Sequence, residues 1–198
     1  MKEILLTLVT AVAAYLLGCI STGTIVSRRE GVNIRNEGSH NTGASNALRI
    51  LGLRGGALTF LGDFLKAALA VIAGLLIGGT YCGMLGGLGA VLGHNWPLFF
   101  GFKGGKGIAC STAVLLILFP WQGAVAAIAC LLVIYFTRYI SVGSLTMLSV
   151  FFLLMLFSMG LWPYGAWAFL LLALGVYRHR SNLQRLRDGT ENKLGQKR

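Results

Sequence analysis

The sequence predicts an all-α integral membrane protein with about seven transmembrane helices, its N-terminus outside and its C-terminus cytoplasmic. Three observations predict it. Of the 198 residues, 56% are hydrophobic and only 12% are charged, about half the roughly 25% charge of a soluble domain. The charges are also clustered, which leaves residues 4–27, 67–102, 107–137 and 139–177 uncharged. Each stretch reaches the roughly 20 residues that span hydrocarbon. Finally, nearly all the basic residues fall on one side when the chain is threaded through a bilayer.

The first stretch is read as a retained span, because a cleaved signal peptide would leave a soluble remainder. The other three contain 36, 31 and 39 residues, too long for single spans. Turn signals near their middles, at 78–83, 119–123 and 159–165, divide each in two. These turns are uncharged and contain interface-seeking Trp and Tyr. The expected spans are 4–26, 57–77, 81–100, 107–119, 122–137, 140–159 and 164–178. A cytoplasmic tail, 179–198, completes a single membrane domain over 1–198. Lys and Arg are retained on the cytoplasmic side. Arg28, Arg29, Arg35, Arg49 and Arg54 fall in the first inner loop, Lys103 and Lys106 in the second, Arg138 in the third, and seven more basic residues from Arg178 to Arg198. Only Lys2 is outside and Lys66 within a span. Two spans from 31 residues are short, so the glycine-rich loop before them is expected to dip into the membrane, covered by protein or lining a wet cavity. The tail reads as either a surface helix or a disordered segment.

The net charge of +11 follows from this topology and from attraction to anionic lipid, so no nucleic-acid partner is expected. Cys19, Cys82, Cys110 and Cys130 form no CxxC or Cys/His cluster and are read as buried small residues. The carboxylates are Glu3, Glu30, Glu37, Asp63, Asp188 and Glu191. So small a set argues against paired-carboxylate hydrolysis and metal-dependent phosphotransfer, and neither metal nor cofactor is expected. Asp63 and Lys66, three apart in the second span, are expected to neutralise one another.

Three polar segments carry the chemistry. The first, around Gly38-Ser39-His40-Asn41-Thr42-Gly43-Ala44-Ser45-Asn46 with Arg49 beyond, has glycines, hydroxyls and amides suited to phosphate oxygens. It reads equally as a flexible loop with Ser45 or Asn46 capping a helix. The second contains Lys103-Gly104-Gly105-Lys106-Gly107, where two lysines among glycines lead into a helix and resemble a phosphate-binding turn. It is not a Walker A loop, because Phe100 and Gly107 replace required residues. A topology role would need the lysines but not the glycines, so the functional reading is favoured. In the third, Tyr177-Arg178-His179-Arg180-Ser181-Asn182, a helix would place His179 and Asn182 on one face.

Together these segments resemble the bacterial acyl-phosphate:glycerol-3-phosphate acyltransferases. The family's patterns GSGNxGATN, GHxxPxFxxFKGGKGVAT and YRHRxNxxRLxxGxE correspond to GSHNTGASN from Gly38, GHNWPLFFGFKGGKGIAC from Gly93 and YRHRSNLQRLRDGTE from Tyr177. The departures are His40 for Gly, Ser45 for Thr, Ile108 for Val and Cys110 for Thr. The resemblance implies acyl transfer from acyl phosphate to the 1-hydroxyl of sn-glycerol 3-phosphate, at the cytoplasmic face of a bacterial inner membrane, in phospholipid synthesis. It implies catalytic parts for Ser39, Asn41 and His179. Substrate binding would fall to Asn46, Arg49, Gly104, Gly105, Lys106, Gly107 and Asn182, with Ser141 and Ser144 as further candidates. No His-x4-Asp pair occurs, so the acyl-CoA-dependent glycerolipid enzymes are not matched.

Acyl phosphate is already activated, which leaves positioning and charge stabilisation as the main tasks. The acyl-phosphate oxygens are the expected proton acceptor and His179 the alternative base. An acyl-enzyme at Ser39 is disfavoured without an Asp-oriented Ser/His pair. The rival class is a transporter for an organic phosphate anion. An intramembrane serine protease would need its dyad at mid-bilayer depth, away from these loops.

Overall fold

The computed structural model describes residues 2–196. Met1 at the expected outer end, and Lys197 and Arg198 at the end of the tail, lie outside the described residues. Among those described, the regular structure is entirely helical. Eight α-helices follow in order: α1 (Lys2–Gly18), α2 (Thr22–Arg29), α3 (Ala44–Asn95), α4 (Ile108–Leu118), α5 (Pro120–Thr137), α6 (Ile140–Met159), α7 (Ala166–Arg178) and α8 (Arg180–Arg187). They form two compact units, Met1–Leu118 and Phe119–Arg198.

In the first unit, α3 is not straight. Gly52, Gly78 and Gly79 leave helical geometry, and Gly52 and Gly79 take φ of 71° and 67°, values that glycine adopts without steric cost. The chain doubles back at Gly78–Gly79. A Cβ on Gly74 would meet the Cys82 carbonyl, and one on Gly86 the Ala70 carbonyl, so the arms 53–77 and 80–95 run antiparallel in close contact. Helix α1 runs parallel to the second arm. A Cβ on Gly89 would meet the Ala11 carbonyl, and one on Gly93 the Tyr15 carbonyl. Without water, helices associate by such close packing of small residues. The chain between α1 and α2 breaks at residues 19–21, within the first expected span, and this frees the Ile20 carbonyl to accept a hydrogen bond from the Lys66 ammonium.

In the second unit, Gly143 lets α6 approach the Cys130 carbonyl of α5, and Gly175 seats the Leu148 side chain between α7 and α6. Phe119, Phe151, Tyr164 and Trp167 form one aromatic cluster. The tail carries one short helix, α8, and the segment after it folds back so that the Leu194 amide donates to the Arg138 carbonyl at 2.7 Å.

Burial is inverted relative to a water-soluble protein. Leu76 and Phe157 are 83% and 85% exposed, while Asp63 and Lys66 are 1% and 5% exposed. Apolar surface outside and charge inside is the arrangement that lipid favours. By length and composition, four helical stretches among the described residues can cross a membrane: Leu5–Arg29, Ala44–Phe100, Pro120–Thr137 and Ile140–Met159. The second is the one that doubles back, and Ile108–Leu118 adds a shorter apolar helix. All four cysteines are buried and free.

Candidate active site

Two polar loops of the first unit meet. In the loop before α3, Asn46 is the hub. Its amide donates to the carbonyls of Ile34, Glu37 and Asn41 at 3.2, 3.1 and 2.9 Å, and its Oδ1 accepts the Ser39 amide at 2.9 Å. The helix itself starts at Ala44 behind Gly43, with no side-chain cap. Asn46 thus holds the loop from within, with a side chain only 1% exposed, while Ser39 and Asn41 are half-buried and Arg49 is exposed on the first turns of α3. Asn41 Oδ1 accepts the Gly43 amide at 2.9 Å and tightens the turn into the helix.

His40 explains its own departure from the family pattern. Its φ is 57°, in the left-handed region where glycine is at ease and His is tolerated better than most residues. The ring Nδ1 lies 2.9 Å from the Arg35 carbonyl, so the side chain is anchored in the same turn.

The second loop leads from the end of α3 to α4. Gly104 and Gly105 lie against that helix end: added Cβ atoms would strike the His94 carbonyl and the His94 ring, respectively. Gly107 has φ 79°, and a Cβ there would come 2.8 Å from Asn95 Oδ1. These glycines are therefore demanded first by packing. Lys106 is half-buried between them, whereas Lys103 is exposed. Helix α4 begins at Ile108, so its first-turn amides and the positive end of its dipole face this loop. The loops are joined by Arg35, which donates to the Lys103 carbonyl at 2.8 Å and lies 5.2 Å from the Phe100 ring centroid.

Beneath the second loop lies a cluster that the sequence only half reveals. Asp63 and Lys66 do pair, at 2.8 Å, but His94 joins them with Nδ1 3.0 Å from Lys66 Nζ and 3.3 Å from Asp63 Oδ1. In the sequence His94 shows only as part of the motif that begins at Gly93, at the end of an apolar arm, with nothing to pair it with Asp63 and Lys66.

In the second unit, Glu191 organises the third segment. It accepts from Asn182 at 2.6 Å, Ser141 at 2.8 Å and Arg185 at 2.8 Å. Burial works to raise its pKa and is outweighed. The hydrogen bonds from Asn182, Ser141 and Arg185, with the guanidinium charge, hold the carboxyl below its ordinary value. Sequence reasoning placed Ser141 and Asn182 near substrate and missed this carboxylate as their common partner. Ser144 is buried and donates to the Ile140 carbonyl at 2.8 Å. His179 is 2% exposed, with Nδ1 2.8 Å from the Gly175 carbonyl. That contact makes Nδ1 the N–H donor and gives the lone pair of the neutral ring to Nε2.

The family model described as glycerol-3-phosphate acyltransferase matches residues 8–189. The chain belongs to this family. It is 42% identical over 189 residues to the glycerol-3-phosphate acyltransferase of Thermoanaerobacter sp. (strain X514), covering 95% of this chain and 96% of that protein. It is 42% identical over 205 residues to the one of Clostridioides difficile (strain 630), covering 98% of each. Among solved structures, it is similar to PlsY (YgiH), an integral membrane glycerol 3-phosphate acyltransferase, in its glycerol 3-phosphate form. The TM-score is 0.89 at 38% identity, over 96% of both chains. The lysophosphatidic acid form of that protein gives 0.86 at 37%, over 96% of this chain and 95% of that one. The family is therefore one of membrane acyltransferases, and this chain has the same helical membrane fold.

Proposed function

We propose that this protein transfers a fatty acyl group from acyl phosphate to the 1-hydroxyl of sn-glycerol 3-phosphate, forming lysophosphatidic acid and phosphate. The observation that carries the reading is the glycine loop, where half-buried Lys106 sits at the start of α4 and Arg35 ties the loop to the Ser39–Asn41 turn. An ammonium, a helix N-terminus and nearby hydroxyl and amide groups suit a phosphate monoester bearing free hydroxyls. Membership in a family with a solved relative in glycerol 3-phosphate and lysophosphatidic acid forms supports the same substrate and product here.

In this mechanism the substrate hydroxyl oxygen attacks the acyl carbonyl carbon, the carbon–oxygen bond to phosphate breaks, and phosphate leaves with the bonding pair. A phosphate oxygen takes the hydroxyl proton, with His179 as the alternative base. Lys106 and Arg49 hold phosphate charge, Ser39 and Asn41 orient the reacting groups, and Asn46 keeps their turn in shape. The acyl tail lies among the apolar helices, and the loops face the cytoplasm of a bacterial inner membrane.

The test is radiolabelled lysophosphatidic acid formation by purified protein given acyl phosphate or, separately, acyl-CoA. Product is expected with acyl phosphate alone, and with EDTA present, because Lys and Arg neutralise the phosphates. Product from acyl-CoA only would overturn the donor assignment. Vesicle uptake of glycerol 3-phosphate without product would return the protein to the transporter class.

A further inference from the structure

The buried Asp63, Lys66 and His94 side chains are absent from the chemistry above. Asp63 and Lys66 lie on one arm of α3 and His94 on the other, all three at most 6% exposed. The Asp63–Lys66 contact is an ion pair without aligned hydrogen-bond geometry at Oδ1, and Lys66 also donates to the Ile20 carbonyl. Burying several ionisable groups is costly, and well-packed apolar residues often serve stability equally well. Stability alone is therefore a weak account of the cluster.

What the cluster touches is the glycine loop. His94 Nδ1 is held on the Asp63–Lys66 side, and the opposite edge of the ring, carrying Nε2, fills the space a Gly105 side chain would need. The His94 carbonyl accepts the Gly105 amide at 3.1 Å. The ring is thereby fixed by charge on one edge and seats the loop on the other, one residue before Lys106.

We propose that Asp63, Lys66 and His94 form a positioning cluster that sets the register of the glycine loop and so the placement of the Lys106 ammonium. The proposal rests on reading Lys106 as a phosphate ligand. Asp63→Asn and His94→Ala are compared with Lys106→Ala and with the two corresponding double variants, in purified protein of matched folded fraction. His94→Ala leaves the Asp63–Lys66 pair intact and carries the test should Asp63→Asn fail to fold. The KM for glycerol 3-phosphate is expected to rise about tenfold in each cluster variant, while the KM for acyl phosphate stays within about twofold. In the Lys106→Ala background the cluster substitutions should add little, because residues acting through one group are non-additive. A raised KM with Lys106→Ala but wild-type KM values in the folded cluster variants would overturn the positioning role alone. Effects that add fully to those of Lys106→Ala would also overturn it. An unchanged KM with Lys106→Ala would instead defeat the phosphate-site reading on which the proposal rests.

Discussion

Lys103 and Lys106 share a loop and a charge but not an environment, since Lys103 is exposed and Lys106 half-buried beside two packed glycines. If Lys106 holds a substrate oxyanion, Lys106→Ala loses about 2 to 4 kcal/mol of transition-state stabilisation, on the order of a hundredfold or more in rate. Lys103→Ala serves as the control and should stay within about threefold. Lys106→Arg should not restore full activity in so close a seat, and Arg49→Lys should also be impaired through loss of the planar fork. Acyl-transfer kinetics over a range of glycerol 3-phosphate concentrations decide it: equal effects at both lysines would reduce them to topology charges. At His40, the left-handed backbone separates two substitutions. His40→Gly relieves the conformational cost and should keep both fold and activity, whereas His40→Val should destabilise by about 1–2 kcal/mol. Thermal unfolding in detergent measures this, and equal midpoints for the two variants would refute the backbone argument.

The element most dependent on a single carboxylate is the tail, where Glu191 joins α6 through Ser141 and α8 through Asn182 and Arg185. Its folded-state pKa lies below the ordinary 4.5. Its stabilisation is therefore complete above the unfolded-state value and is lost as pH falls through the folded-state value. The unfolding midpoint should drop on acidification below about pH 4. Glu191→Gln should cost about 1–3 kcal/mol near neutrality, since hydrogen bonds to a charged group are among the stronger ones, and should show a shallower acid dependence. Parallel pH curves for the two proteins would remove Glu191 from the account. Helical signals in the tail were legible as an i, i+3 pair at His179 and Asn182, yet the sequence left helix and disorder equally open. The return of residues 188–194 to the α5–α6 connection settles it, and no local pattern encodes such a return.

Across the whole molecule, the charge pattern bears on orientation. The proposed arrangement, N-terminus outside and tail inside, places fifteen of the 17 basic residues on the cytoplasmic face. Trp121 and Leu161 lie in the turns expected outside, 119–123 and 159–165, and neither is buried by protein. With Trp121→Cys or Leu161→Cys as the single thiol in a cysteine-free protein, an impermeant maleimide should label from the outer face only. Labelling from the cytoplasm would reverse the topology.

The uncharged runs, their Gly and Pro punctuation and the three polar motifs determined by themselves that the chain is helical, lives in a membrane and belongs with its family. These signals are local: a helix satisfies its backbone within a few residues, and lipid penalises any alternative. Tertiary structure decided the partners. Asp63 and Lys66 were readable as a pair three apart, but His94, 28 positions beyond Lys66, joins them only because α3 folds back at Gly78–Gly79. Ser141 and Glu191 meet across 50 positions for a similar reason. Asn46, legible as a cap or a ligand, became the hub of its loop once carbonyls from residues 34, 37 and 41 were gathered around it. A buried polar group takes whichever partners the packing brings within reach, and packing between distant segments leaves no periodic mark on the chain.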